Sequence, residues 1–306
     1  MNAIDALLSG LVDYAGLFPP ASEDMRKALE NYASYREGHD RSALGRFIVP
    51  VSRLKELEDA GTDLMPRGPG SDPWRLSVLV GEDIRAAGEE MLKFNCHHFS
   101  DSKDGHALID VVELKASTVD EVQQRRSKIP VFFTPYFEIP IKGDVRQLVH
   151  AIAQSGARAK LRTGGVTPDS IPPGAAIIDF IVACRSERVP FKATAGLHHP
   201  IRGPYRLTYE RDSAVGTMYG FVNVFVASAL IYAGASESTA IAALEESDSH
   251  AFVFKDDAIL WRDKRITTGQ IEASRREFAV SFGSCSFREP INELTPLTLT
   301  SRTGGQ

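Results

Sequence analysis

Lys160 and Lys192 stand about one strand–helix interval apart, in Ala159-Lys160-Leu161-Arg162-Thr163-Gly164-Gly165 and Pro190-Phe191-Lys192-Ala193-Thr194-Ala195-Gly196. Side chains alternate along a strand, so Lys160 and Arg162 share one face and Leu161 takes the other. The same parity turns Phe191 outward and Lys192 inward. Because the apolar face must meet the surrounding helices, three cations are expected to converge inside. Ammonium groups held together lower one another's pKa, and a neutral amine can attack a carbonyl. The resulting Schiff base draws electrons from a breaking carbon–carbon bond. The plainer alternative is that each lysine pairs with a carboxylate such as Glu113 or Glu138 and only ties strands together.

Such chemistry needs a proton-transfer acid, and Asp110-Val111-Val112-Glu113-Leu114-Lys115 offers two. Parity turns Val112 and Leu114 outward and favours Glu113, with Asp110 as the second candidate. His198 and His199 follow Gly196; adjacent residues point apart and no HxH or HExxH spacing completes a ligand set, so no metal is assigned. Either histidine can bind substrate or move a proton. In Gly283-Ser284-Cys285-Ser286 a small-residue turn can offer free N–H groups to an anion or simply cap a helix. Cys285 has no histidine near it in sequence and reads as a buried thiol. Asn223 lies in an apolar run and must find hydrogen-bond partners there.

The elements that would position these groups recur as short β-branched or aromatic runs, each followed by turn residues and a helical stretch. The runs are Leu11–Leu17, Phe47–Val51, Leu76–Val80, Ile109–Leu114, Val131–Phe137, Ala157–Arg162, Pro190–Ala195 and Phe278–Phe282. Helices are expected at Ser22–Arg36, Thr118–Ser127, Asp144–Gln154 and Ile177–Arg185. This alternation predicts an α/β fold, a (β/α)8 TIM-type barrel spanning 1–293 as a single domain. An insertion at about 200–265, before the last strand, is read as a loop (Pro200–Thr217), a buried helix (Met218–Ala233) and a hairpin (Phe252–Phe254 with Ile259–Trp261). It would serve as a lid or as an oligomer contact. Residues 294–306 read as a flexible tail.

The chain resembles the deoxyribose-phosphate aldolase group of class I aldolase barrels in four segments that occur in the same order. Leu11-Val12-Asp13-Tyr14-Ala15-Gly16-Leu17-Phe18-Pro19 is similar to that family's first strand, and Lys160-Leu161-Arg162-Thr163-Gly164 to its Lys-Thr-Ser-Thr-Gly. Phe191-Lys192-Ala193-Thr194-Ala195-Gly196 is similar to Phe-Lys-Pro-Ala-Gly-Gly, and Phe282-Gly283-Ser284-Cys285-Ser286 to a phosphate-binding Phe-Gly-Ala-Ser-Ser. The resemblance implies that Lys160 forms the Schiff base, Lys192 perturbs it, and Asp13, Thr163, Gly164, Gly196, Gly283, Ser284 and Ser286 line the substrate site. Arg162 replaces the family's serine, Tyr14 its histidine, and His198-His199 an Arg-Thr pair. Arg162 suits a carboxylate or phosphate, so a different anionic substrate is expected.

With 306 residues, 43% of them apolar, the chain can bury one large core. A net charge of −5 argues against nucleic acid as a partner, and the apolar run near residue 220 is too interrupted to span a membrane. Three cysteines without CxxC spacing and an N-terminus without a basic segment point to the cytoplasm. No motif calls for a cofactor; the expected partners are a small-molecule substrate and a second copy in a homo-oligomer. The leading expectation is an aldolase-like lyase. The alternatives are a hydrolase or isomerase, metal-assisted or not, driven by His198 or His199 with Lys160, Arg162 and Lys192 holding the anion, and a non-catalytic anion-binding protein.

Overall fold

A computed structural model describes residues 1–99 and 103–303, with 298–303 as backbone only. Eight parallel strands close into a barrel: β1 (Val12–Tyr14), β2 (Leu44–Pro50), β3 (Trp74–Leu79), β4 (Ala107–Lys115), β5 (Thr134–Glu138), β6 (Arg158–Arg162), β7 (Phe191–Thr194) and a last strand, Ala279–Ser284, which pairs with both β7 and β1. Each expected strand is present. The fifth starts later than its apolar run, because Val131 and Phe132 remain exposed beyond the sheet. Helices follow the strands at Met25–Glu37, Leu54–Gly61, Ile84–His97, Val119–Arg126, Val145–Gln154 and Gly174–Ser186. Four of them open on a side-chain cap: Asp24, Asp83, Thr118 and Asp144 each accept an N–H from the first turn.

Between β7 and the last strand lie a hairpin of β8 (Gly203–Arg206) and β9 (Val215–Met218), the helices Phe221–Tyr232 and Glu237–Leu244, a meander of β10 (Phe252–Phe254), β11 (Ala258–Trp261) and β12 (Lys264–Thr267), and the helix Thr268–Glu277. The final barrel strand is therefore β13 (Ala279–Ser284). The stretch Pro200–Thr217, expected as loop, pairs antiparallel with itself, and the expected hairpin gains a third strand. Helix Phe221–Tyr232 lacks charge because it is covered on all sides; Phe221 stacks on Phe282 of β13 at 5.4 Å.

The C-terminal segment departs from expectation as well. Arg288–Thr303 is one helix, anchored by Ile291 and Leu294, which share an apolar face and are both buried; residues 304–306 lie outside the described residues. Along β6 and β7 the outward residues are the apolar ones. Phe191 packs on Phe180 and Phe278, and Leu161 is 1% exposed beneath the helices. That leaves the interior to Lys160 and Lys192.

Candidate active site

Glu113 sits between the two lysines near the C-terminal end of the barrel. Lys192 Nζ donates to Glu113 Oε1 and to Asp13 Oδ2, both at 2.6 Å. Lys160 Nζ stands 2.8 Å from Glu113 Oε2 and 2.8 Å from Glu138 Oε2. These last contacts are charge contacts, since Glu113 Oε2 receives no well-angled hydrogen bond. Ser77 and Ser281 complete the network, donating to Glu113 Oε1 at 2.6 Å and to Asp13 Oδ2 at 2.9 Å.

The three expected cations do converge, but three carboxylates accompany them: Asp13, Glu113 and Glu138. This reverses the expected electrostatics at Lys192. Burial alone would push its pKa down, yet Asp13 and Glu113 hold it well above the ordinary lysine range. Burial would likewise raise the Glu113 carboxyl, but Lys160 and Lys192 hold it well below the usual carboxylate range. Lys192 is 1% exposed and does not reach the cavity, so the plainer expectation of a strand-tying ion pair fits it. Lys160 is different. It lines a cavity of about 290 Å³ with Glu113, Arg162, Thr194, Gly196, His198 and Cys285.

Arg162 is half-exposed at the cavity edge, with Nε 3.1 Å from Glu138 Oε1. Its terminal nitrogens carry no protein partner among the described residues, leaving a fork for an anion. Thr163 is buried and donates from Oγ1 to Ala195 O at 2.6 Å, which fixes the loop after β6 to the loop after β7. Gly164 and Gly196 permit that contact: a Cβ on either would fall 3.1 Å from the other's Cα, and Gly196 has φ +77°.

Asp110 is not at this site. The β3–β4 register shifts by one residue there, Leu76 pairing with Ile109 and Ser77 with Val111, and Asn95 satisfies both backbone groups of Ile109. This bulge lets Asp110 and Glu113 reach the interior at opposite ends, although simple alternation allows only one of them inside. Asp110 is clamped at the N-terminal end by Arg46, at 2.7 Å from both Nε and one terminal nitrogen, and by Arg75. Burial would raise its carboxyl, but these arginines hold it below the ordinary range. It cannot serve carbonyl chemistry at the other mouth.

The β13 turn is a helix cap. Ser286 Oγ accepts the Glu289 N–H at 3.1 Å and Ser284 Oγ the Ser286 N–H at 3.3 Å, while Gly283 lines the cavity floor. Tyr14 faces away from the cavity, packing against Tyr35 and Phe47 and donating to Glu23. His198 lines the cavity and His199 does not; His199 stacks on Tyr205 at 3.5 Å and contacts Glu293 at 2.8 Å. Asn223 gains its purpose here. Its Oδ1 accepts the Arg202 N–H and its Nδ2 donates to Ala243 O and Glu246 O, tying the segment after His199 to the buried helix.

Sequence reasoning missed Ser77, Ser281, Glu289 and Tyr209. The two serines were discoverable as polar residues at inward positions of apolar strands; Glu289 and Tyr209 join the site only through tertiary folding. No family model, curated protein or solved structure matches the chain. Fold and geometry together describe a (β/α)8 barrel with an ion-paired lysine at its cavity.

Proposed function

We propose that the protein is a lyase of the class I aldolase type, acting on a small anionic carbonyl compound through a Schiff base on Lys160. The observation that carries this reading is the contrast between the lysines: Lys160 faces the cavity, flanked by two carboxylates, while Lys192 is sealed behind Glu113. Barrel enzymes place their chemistry at this end of the strands, and the cavity is of metabolite size.

Lys160 gives a proton to Glu138 and attacks the carbonyl carbon. The carbinolamine takes a proton at its oxygen and loses water, leaving an iminium. Glu138, ionised again after giving that proton, takes the proton of the β-hydroxyl, and the bond between the α and β carbons breaks into the iminium as an aldehyde departs. Glu138 returns the proton to the α carbon of the enamine, and water hydrolyses the resulting iminium to restore the amine. Glu113 holds its charge between the two ammonium groups, and Lys192 keeps it ionised. Arg162 receives the substrate's carboxylate or phosphate on its terminal nitrogens.

The test is an assay of aldehyde release from a panel of hydroxycarbonyl acids and phosphates, run before and after borohydride treatment. Activity that borohydride destroys only in the presence of a carbonyl compound is the expected result. Activity indifferent to borohydride under both conditions contradicts the reading.

A further inference from the structure

The cavity has a second reactive wall, opposite in chemistry to Lys160. Cys285, just after β13, is 5% exposed and lines the cavity. Its Sγ lies 3.9 Å from Nδ1 and 4.0 Å from Nε2 of His198. His198 Nδ1 is 3.0 Å from Glu289 Oε2, and Tyr209 donates to that same oxygen at 3.1 Å while standing 3.7 Å from Sγ. A carboxylate thus holds the imidazole through Nδ1, with a thiol within 4.0 Å of both ring nitrogens, company that can activate a nucleophilic cysteine. Two chain segments distant in sequence, 198–209 and 285–289, supply it, which is why the thiol looked isolated.

We infer that Cys285, served by His198 and Glu289, is a second carbonyl-reactive group of this cavity and takes small aldehydes as reversible thiohemiacetals. The sulfur attacks the carbonyl carbon, the carbon–sulfur bond forms, and the π electrons move to oxygen. The thiol proton passes through His198 to that oxygen, so nothing is oxidised or reduced. Burial would depress the His198 imidazolium, but Cys285 and Glu289 beside it raise its pKa to about 10. His199 and Tyr209 also face this corner, His199 turned toward Glu293 and Tyr209 toward Glu289. The other cysteines provide contrast: Cys96 is exposed, and Cys184 is sealed in a helix where burial pushes its thiol well up.

The inference stands apart from the Schiff-base reading and is tested on the native chain with iodoacetamide at neutral pH, each thiol followed by peptide mass mapping. Cys285 is expected to react roughly tenfold or more faster than Cys96. His198→Gln is expected to bring it to the rate of Cys96 or below. A Cys285 no faster than Cys96 in the native chain overturns the inference, and that comparison needs no variant to fold; undiminished reactivity in His198→Gln overturns it equally. Acetaldehyde labelled with ¹³C at the carbonyl should give a new sp³ carbon resonance that Cys285→Ser abolishes. Its absence removes aldehydes as the ligand class. Borohydride traps the Lys160 imine and not the thiohemiacetal, so the two readings fail separately.

Discussion

The two ends of the barrel each hold an ion cluster built from strand residues, and the clusters differ in kind. At the N-terminal end Asp110 joins Arg46 and Arg75, whose side chains are 26% and 44% exposed. At the C-terminal end Asp13 and Lys192 are sealed away from the cavity, and Glu113, itself nearly buried, lines it with Lys160 and Arg162. Arginine forks half in water make inexpensive structural ties. Buried amines between carboxylates cost desolvation that must be matched by geometry. The fold thus places its buried, costlier ion pairs beside the cavity at the C-terminal end, and its cheaper, more hydrated ones at the N-terminal end.

Glu113→Gln attacks the sealed end directly, leaving both lysines with one carboxylate fewer, and should cost about 3–5 kcal/mol in urea unfolding. Asn223→Ala should cost about 2–3 kcal/mol by stranding the backbone groups of Arg202, Ala243 and Glu246. It should also slow alkylation of Cys285, since it frees the segment that carries His198.

The sealed network also has a sign in pH. Glu113 is depressed on folding, so its contribution is complete above the ordinary glutamate value of about 4.3 and is lost as pH falls through its lower folded value. Lys192 is raised, so its contribution is complete below about 10.4 and is lost as pH rises through its higher folded value. The melting temperature should fall at both extremes. Glu113→Gln should flatten the acid limb and Lys192→Met the alkaline one; limbs unchanged in both variants would break the distinction between the two ends.

Asp110→Asn, at the open end, should cost about 1 kcal/mol in the same urea titration and leave aldehyde release intact. The smallest effect on stability belongs to Arg162→Met, within about 1 kcal/mol because the guanidinium is half in water. It should instead raise KM for anionic substrates and spare kcat.

The barrel was legible because strand parity and helix caps are local properties. Phe191 and Leu161 announced which way Lys192 and Lys160 must point. The neutralising company was legible only in part: Glu113 and Glu138 stood out as possible partners of the lysines, whereas Asp13 did not. Glu138 and Asp13 reach the lysines from β5 and β1, and the bulge at Asp110, held by Asn95, breaks the alternation on which parity reasoning depends. Pro200–Thr217 looked like loop because Gly203, Pro204 and Gly216 suggest turns, and only the mutual pairing of Gly203–Arg206 with Val215–Met218 makes strands there. Cys285 and His198 lie far apart in the chain, and no spacing joins them.

The central claim is that Lys160 is the carbonyl-reactive amine and Lys192 its sealed partner. Borohydride reduction with a panel of aldehydes and ketones, followed by peptide mass mapping, reads both amines at once. An adduct on Lys160 with Lys192 unmodified is the predicted result; an adduct on Lys192, or none on Lys160 with any member of the panel, contradicts the account.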